Sequence, residues 1–282
     1  MTAKTAFVLV HGAHHNHSCW ALVKEDLENR GHPVVAIDLP GAGVNAAIPT
    51  SFNVRPLDPA VFSTEPSPNA GVTQEERTEA VIAAVRAAAD KGDGTVVLMG
   101  HSLGGLTISP VAEAIPDEVH AVVFLTAFML PPGMPAGAII EAELGESELP
   151  PLFMSDPTVT GALRLDTGSE DQEYRAALRS AFYNDLSDEQ FDATMSSLHP
   201  DEPAQVAGVP SNITAAKFGT VDRHYIRCGN DNTILPSAQD KMVELVDVSL
   251  GNSTTVHRID TSHSPMVSDP EGLADILVSI AG

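Results

Sequence analysis

Short apolar, β-branched runs alternate with amphipathic stretches along most of this 282-residue chain, and that alternation admits few folds. Strands that are apolar without interruption need cover on both faces, which places a mostly parallel sheet between layers of helices. The pattern predicts strands at Ala6–Val10, Val34–Ile37, Thr95–Met99, Val119–Leu125, His224–Arg227 and Thr254–Ile259. A helix is expected from about Trp20 to Asn29, closed by Gly31. Another opens at Thr73, whose hydroxyl forms a capping box with Glu76, and runs to about Ala89. Further helices are expected beyond Ser102, from Pro236 to Val246 and from Glu271 to Ile280.

Two stretches break the alternation. Residues 42–71 are rich in Pro, Ala, Asn and Ser and show no sustained period, which reads as a long irregular excursion. Residues 131–210 replace strand–helix alternation with prolines, acidic residues and short helical pieces, including Asp171–Phe182 and Asp188–Leu198. The expected organisation is therefore a core of residues 1–130 and 211–282 with an inserted, mainly helical cap at 131–210.

The formal net charge of -23 weighs against partners that carry phosphate backbones or anionic headgroups, so neither nucleic acid nor membrane is expected. No apolar run approaches the roughly 20 residues that span a bilayer. The stretch Met1–Lys4 leads directly into Phe7-Val8-Leu9-Val10, too short for a signal-peptide core, and a cytoplasmic location is the expectation. Cys19 and Cys228 lie far apart without CxxC spacing, so both are expected to act as small buried apolar residues.

The chemistry centres on Gly100-His101-Ser102-Leu103-Gly104, a G-x-S-x-G pattern between an apolar strand and a helix. A sharp turn there forces the serine backbone into strain, and the glycines avoid clashes with strand and helix. A serine hydroxyl becomes nucleophilic when a base takes its proton, and the base needs a carboxylate to hold its tautomer. His263 lies just past the last strand, where such a base belongs, whereas His257 alternates within that strand. Asp231, in Gly229-Asn230-Asp231-Asn232, follows the preceding strand and is the expected acid. Its competitors Asp222, Asp247 and Asp260 precede that strand, end a helix and crowd His263, respectively. An oxyanion hole is expected from the N–H groups of Leu103 and Ala13, with Gly12 allowing close approach of backbone to substrate. The cluster His11, His14, His15 and His17 lacks HExxH spacing and a nearby carboxylate, so no metal site is expected and His15 is assigned to the substrate pocket.

Several segments together resemble the methyl salicylate esterase and hydroxynitrile lyase family of α/β-hydrolases. They are Phe7 to Ala13 with His15 and Trp20, Gly100 to Gly105, Val123 to Met129, Phe218 to Val221 with Tyr225 to Cys228, Asn230 to Ile234 and Ser262 to Met266. The resemblance implies the α/β-hydrolase fold, a small cap over the site, no cofactor and the triad Ser102, His263 and Asp231. Cyanohydrin-cleaving members carry Thr after the first-strand His and Lys after the catalytic His, where this chain has Gly12 and Ser264. A carboxylesterase-type serine hydrolase acting on a small-molecule ester is therefore expected. A C–C bond lyase and a non-catalytic small-molecule binder stand as alternatives, and a homodimer is compatible with the sequence. The substrate pocket is expected to include His15, Trp20, Phe128 and Met129, with Phe153, Phe182 and Tyr183 from the cap.

Overall fold

The computed structural model describes residues 4–282. Met1, Thr2 and Ala3, part of the N-terminal stretch considered above, lie outside them. Strand β1 (Ala6–Val10) leads through a 3-10 turn into α1 (Ala21–Asn29) and β2 (Val34–Ile37). Residues 42–71 hold two 3-10 turns and the four-residue α2 (Pro59–Phe62). Then come α3 (Gln74–Ala89), β3 (Val96–His101), α4 (Gly105–Ala114) and β4 (Ala121–Leu125). Within 131–210 lie α5 (Ala136–Glu143), α6 (Pro157–Thr160), β5 (Ala162–Arg164), α7 (Gln172–Phe182), α8 (Asp188–Met195), β6 (Asp201–Pro203) and α9 (Gln205–Gly208). The chain returns through β7 (Asp222–Cys228), α10 (Pro236–Leu250), β8 (Thr255–Ile259), α11 (Pro265–Ser268) and α12 (Pro270–Ala281).

Six strands form one parallel sheet in the order β2-β1-β3-β4-β7-β8. Alternation along each strand divides the core into two layers. Val8, Val10 and Leu98 point to one face and pack with Val81 and Val85 of α3, Ile108 of α4 and Val246 of α10. Phe7, Leu9, Val97 and Met99 point to the other and pack with Val23 and Leu27 of α1 and Leu273 and Leu277 of α12. Both faces are covered, which is why these strands carry apolar residues at consecutive positions. Thr73 and Glu76 form the expected capping box at the start of α3. No helix among the described residues is long and apolar enough to cross a membrane.

Residues 131–210 differ in one respect from a purely helical insertion. Three-residue strands β5 and β6 pair antiparallel, with Arg164 opposite Asp201. They are too short, and too charged, to leave a period-2 signature in the sequence. Their cohesion comes from charge instead. The fully buried Arg164 donates from Nε (2.6 Å) and Nη2 (2.8 Å) to the two oxygens of Asp201, which is 2% exposed. Its remaining nitrogen, Nη1, donates to the carbonyls of Phe62 and Glu65, tying the 42–71 excursion to this small sheet. Arg55 binds Asp166 at 2.7 Å, and the Ser67 N–H donates to Thr160 O, so the excursion is laced to the 131–210 segment at several points.

A second buried pair joins that segment to the core. Arg77 of α3 donates to Glu202 of β6 at 2.5 Å and to Pro40 O at 3.1 Å, with both charged side chains nearly inaccessible. Neighbouring acids on one short strand, Asp201 and Glu202, thus face opposite ways, one inward to Arg164 and one to the core helix. Removing one member of such a pair strands the other charge in a dry interior. Arg164→Met is therefore expected to lower the unfolding free energy by about 3 kcal/mol, read from urea denaturation. A loss below about 1 kcal/mol would show that the pair contributes little beyond its packing.

Candidate active site

Ser102 stands where β3 stops and a 3-10 turn turns the chain into α4. Its φ is 52°, a left-handed conformation that costs a non-glycine residue about 1 kcal/mol or more. The turn is tight because α4 must start against the loop after β1: a Cβ on Gly104 would sit 2.7 Å from His11 O. The Phe128 N–H donates to Ser102 O at 3.1 Å, fixing the turn from the β4 side. Strain held this way aims one side chain off the end of the sheet.

The expected acid and base, Asp231 and His263, lie in the loops after β7 and β8. His263 Nδ1 lies 2.6 Å from Asp231 Oδ2, with both side chains fully buried. Asp231 also accepts from the N–H groups of Thr233 (2.7 Å) and Ile234 (2.9 Å) and from the hydroxyl of Thr126. Four donors converge on one carboxylate, so Nδ1 is the protonated nitrogen and Nε2 carries the lone pair. That Nε2 is buried and has no partner among the described residues. Ser102 makes no hydrogen bond to it. What brings the base loop to the serine turn is His101, whose Nε2 donates to His263 O at 2.8 Å, with ring centroids 4.6 Å apart. Burial first, and then the neighbouring imidazoles of His263 and His15, push His101 well below the usual imidazole range, so it places no positive charge beside the base. Asp185, just after α7, accepts from the Ser262 N–H at 2.7 Å and holds the same loop from the other side.

Ser102, Leu103 and Ala13 border one cavity of about 480 Å³. Its other walls are largely apolar, among them Phe128, Ile140, Leu144, Leu149, Phe153 and Leu163. Among the described residues, no charged side chain lines it. Gly12 lies beneath: a Cβ there would meet Ser102 Cβ at 2.7 Å and His101 Nδ1 at 2.9 Å, so backbone alone fits. Of the residues expected to contact substrate, Phe128 and Phe153 are in the lining. The structure corrects the placement of the others. Trp20 and Met129 belong to the two core layers beside the sheet. His15 is 3% exposed and bonded at both nitrogens, Nδ1 to Ala13 O and Nε2 to the hydroxyl of the fully buried Tyr183, each at 2.8 Å. Phe182 is wedged between Tyr183 and His263, 5.7 Å from each. These aromatic side chains form the wall behind the base rather than the surface of the cavity.

The histidine cluster is dispersed among protein partners. His11 bonds Gly12 O and the Leu39 N–H, and His17 bonds Asp38. Three residues that support the site, Thr126, His101 and Asp185, escaped the sequence reading. Thr126 had a usable signal, since it follows β4 directly and occupies a strand end like the other site loops. Its φ of 35° shows that this strand end is also bent out of the ordinary.

The sequence matches the alpha/beta hydrolase family over residues 7–276. It is 29% identical to Methylesterase 2 of Arabidopsis thaliana, with 99% of this chain and 96% of the relative covered. Methylesterase 9 of the same plant is 28% identical, with 98% and 97% covered. Among solved structures, a pyrethroid hydrolase from Sphingobium faniae JZ-2 superposes with a TM-score of 0.74 at 24% identity, over 99% of this chain and 97% of the other. Polyneuridine aldehyde esterase gives 0.73 at 23% identity, over 99% and 100%. The chain belongs to the alpha/beta hydrolase family, and it is an esterase-type hydrolase.

Two outcomes follow from the site's construction. Thr126→Val keeps the branched shape and removes one donor from Asp231. It is expected to lower kcat/KM for ester hydrolysis about tenfold, and an unchanged value would show that the remaining three donors suffice. The second concerns acid. Burial pushes the imidazoles of His11 and His15 down to about 4 and about 3, whereas unfolding returns them to about 6.5. Between those values the unfolded chain binds more protons than the folded one, so stability is full above pH 6.5 and falls as pH drops toward 4. Urea midpoints at a series of pH values should decline over that interval, and a flat series would refute the assignment.

Proposed function

We propose that this alpha/beta hydrolase cleaves a small, uncharged carboxylic ester through an acyl-enzyme formed on Ser102. The observation that carries the reading is the buried Nε2 of His263, whose ring is held by Asp231 and whose Nε2 has no partner among the described residues beside the serine turn. In this mechanism His263 takes the Ser102 proton as the hydroxyl oxygen attacks the ester carbonyl. The oxyanion that forms rests on the N–H groups of Ala13 and Leu103, both of which border the cavity. Collapse of the tetrahedral centre breaks the bond to the alcohol, which leaves with the proton from His263. Water, activated by the same nitrogen, then attacks the acyl-serine, and the free acid departs. Asp231 stays a carboxylate throughout and stabilises the imidazolium that each half-reaction creates.

The cavity's apolar lining suits an apolar acyl portion, and the absence of any cation in it disfavours a second carboxylate on the substrate. The names of the plant relatives support a methyl ester or another short alcohol as the leaving group. Residues 131–210 act in this reading as a cap that supplies much of the acyl wall and excludes water from the acyl-enzyme. Two features favour ester hydrolysis over cyanohydrin cleavage. Gly12 has no room for the threonine of the cyanohydrin-cleaving members, and position 264, which carries lysine there, is here a fully buried serine.

Ser102→Ala is expected to reduce hydrolysis of p-nitrophenyl acetate by about 10³-fold or more while the protein still folds. Activity within tenfold of the unmodified protein would eliminate the acyl-serine route.

A further inference from the structure

The histidines next to β1 are not equivalent. His11 and His15 each use both ring nitrogens on protein partners, as structural buried histidines do. His14 uses one. Its Nδ1 is 3.0 Å from His199 O, and because a carbonyl can only accept, Nδ1 carries the proton. Its Nε2 is therefore a lone pair, and it is buried with no partner among the described residues. Burial also holds the ring below the usual imidazole range, so it is uncharged. The residue is 2% exposed and lies in the lining of the cavity that contains Ser102.

We infer that His14 is a specificity-determining residue whose Nε2 accepts a hydrogen bond from a hydroxyl or N–H group on the substrate. The inference rests on the ester-hydrolase reading above and sharpens its substrate class to an otherwise apolar ester that carries a neutral hydrogen-bond donor near the reacting carbonyl. Besides Ser102, the other hydroxyls in the lining already give their protons to the protein: Ser147 donates to Thr233 O and Thr233 donates to Ala181 O, each at 2.8 Å. The backbone of His14 is held in an unusual state as well. Its φ is 63°, a left-handed conformation that few residues other than glycine adopt, although histidine, like asparagine and aspartate, tolerates it better than most. Two bonds to one residue keep it there, since the His199 N–H donates to His14 O at 2.8 Å while His14 Nδ1 donates back to His199 O. His199 belongs to the 131–210 segment, so that segment orients the acceptor. Ala13, whose N–H is assigned to the oxyanion, directly precedes it. Position and orientation of this ring are thus fixed relative to Ala13 and to the cavity that Ser102 borders.

The test compares methyl phenylacetate with its hydroxylated counterparts, methyl mandelate and methyl (2-hydroxyphenyl)acetate. At least one hydroxylated ester is expected to exceed the parent by about tenfold in kcat/KM, the effect of one well-placed hydrogen bond. His14→Asn, a residue that tolerates the left-handed backbone but falls short of the imidazole's reach, should bring that ratio toward one. A ratio is insensitive to partial loss of folded protein. The same ligands titrated calorimetrically into Ser102→Ala protein report the preference without turnover. Absence of the preference in both formats while His14 is present, or its survival in His14→Asn, would overturn the inference. Binding preference in a protein that hydrolyses none of the esters would uphold His14 and refute the esterase reading.

Discussion

The site depends on a single carboxylate. Asp231 accepts from two backbone amides of its own loop, from a hydroxyl at the end of β4 and from the imidazole after β8. Those donors come from three separate connections at the carboxyl ends of the strands. A buried carboxylate without them would be costly, and with them it becomes the point at which the loops are fixed relative to one another. The direction of the His263 lone pair follows from this arrangement. His101 and Asp185 then limit where the histidine loop can lie, one through a carbonyl and one through an amide.

Charge organises the outer part of the molecule in a similar way. Asp201 and Glu202 on a three-residue strand take two buried arginines, one from the 131–210 segment itself and one from α3 of the core. The irregular 42–71 excursion closes around the same arginine, Arg164, through two of its carbonyls. A surplus of acid in the composition therefore coexists with a few fully paired acids inside. The chain reserves some of its scarce arginines for places where a lone charge would be expensive. The polar ring of His14, clamped by His199, lies where this charged layer meets the apolar cavity.

Much of the core was legible because its signals are local. Uninterrupted apolar strands, the Thr73–Glu76 cap and the glycine-flanked Ser102 each act within a few residues. His263 and Asp231 stood out by their place after a strand, and the structure brings their side chains to 2.6 Å of each other. The strands β5 and β6 were invisible because cross-strand arginine pairing, not periodicity, stabilises them. Phe128 and Phe153 do line the cavity, but four other large side chains assigned to it do not, for a related reason. Sequence shows that Trp20, Met129, Phe182 and Tyr183 are large and near the site, but not that they pack behind it. His14 stood in plain view among four histidines. Its difference from its neighbours lies in which ring nitrogen is left over, a property of the folded backbone alone.

The central claim is that Ser102 is made nucleophilic by the His263–Asp231 pair, and covalent labelling addresses it most directly. Native protein treated with a fluorophosphonate, digested and mapped by mass spectrometry should carry one adduct, on the peptide containing Ser102. Protein with His263→Ala should label at least about 10³-fold more slowly. An adduct on another residue, or equal labelling without the imidazole, would contradict the account.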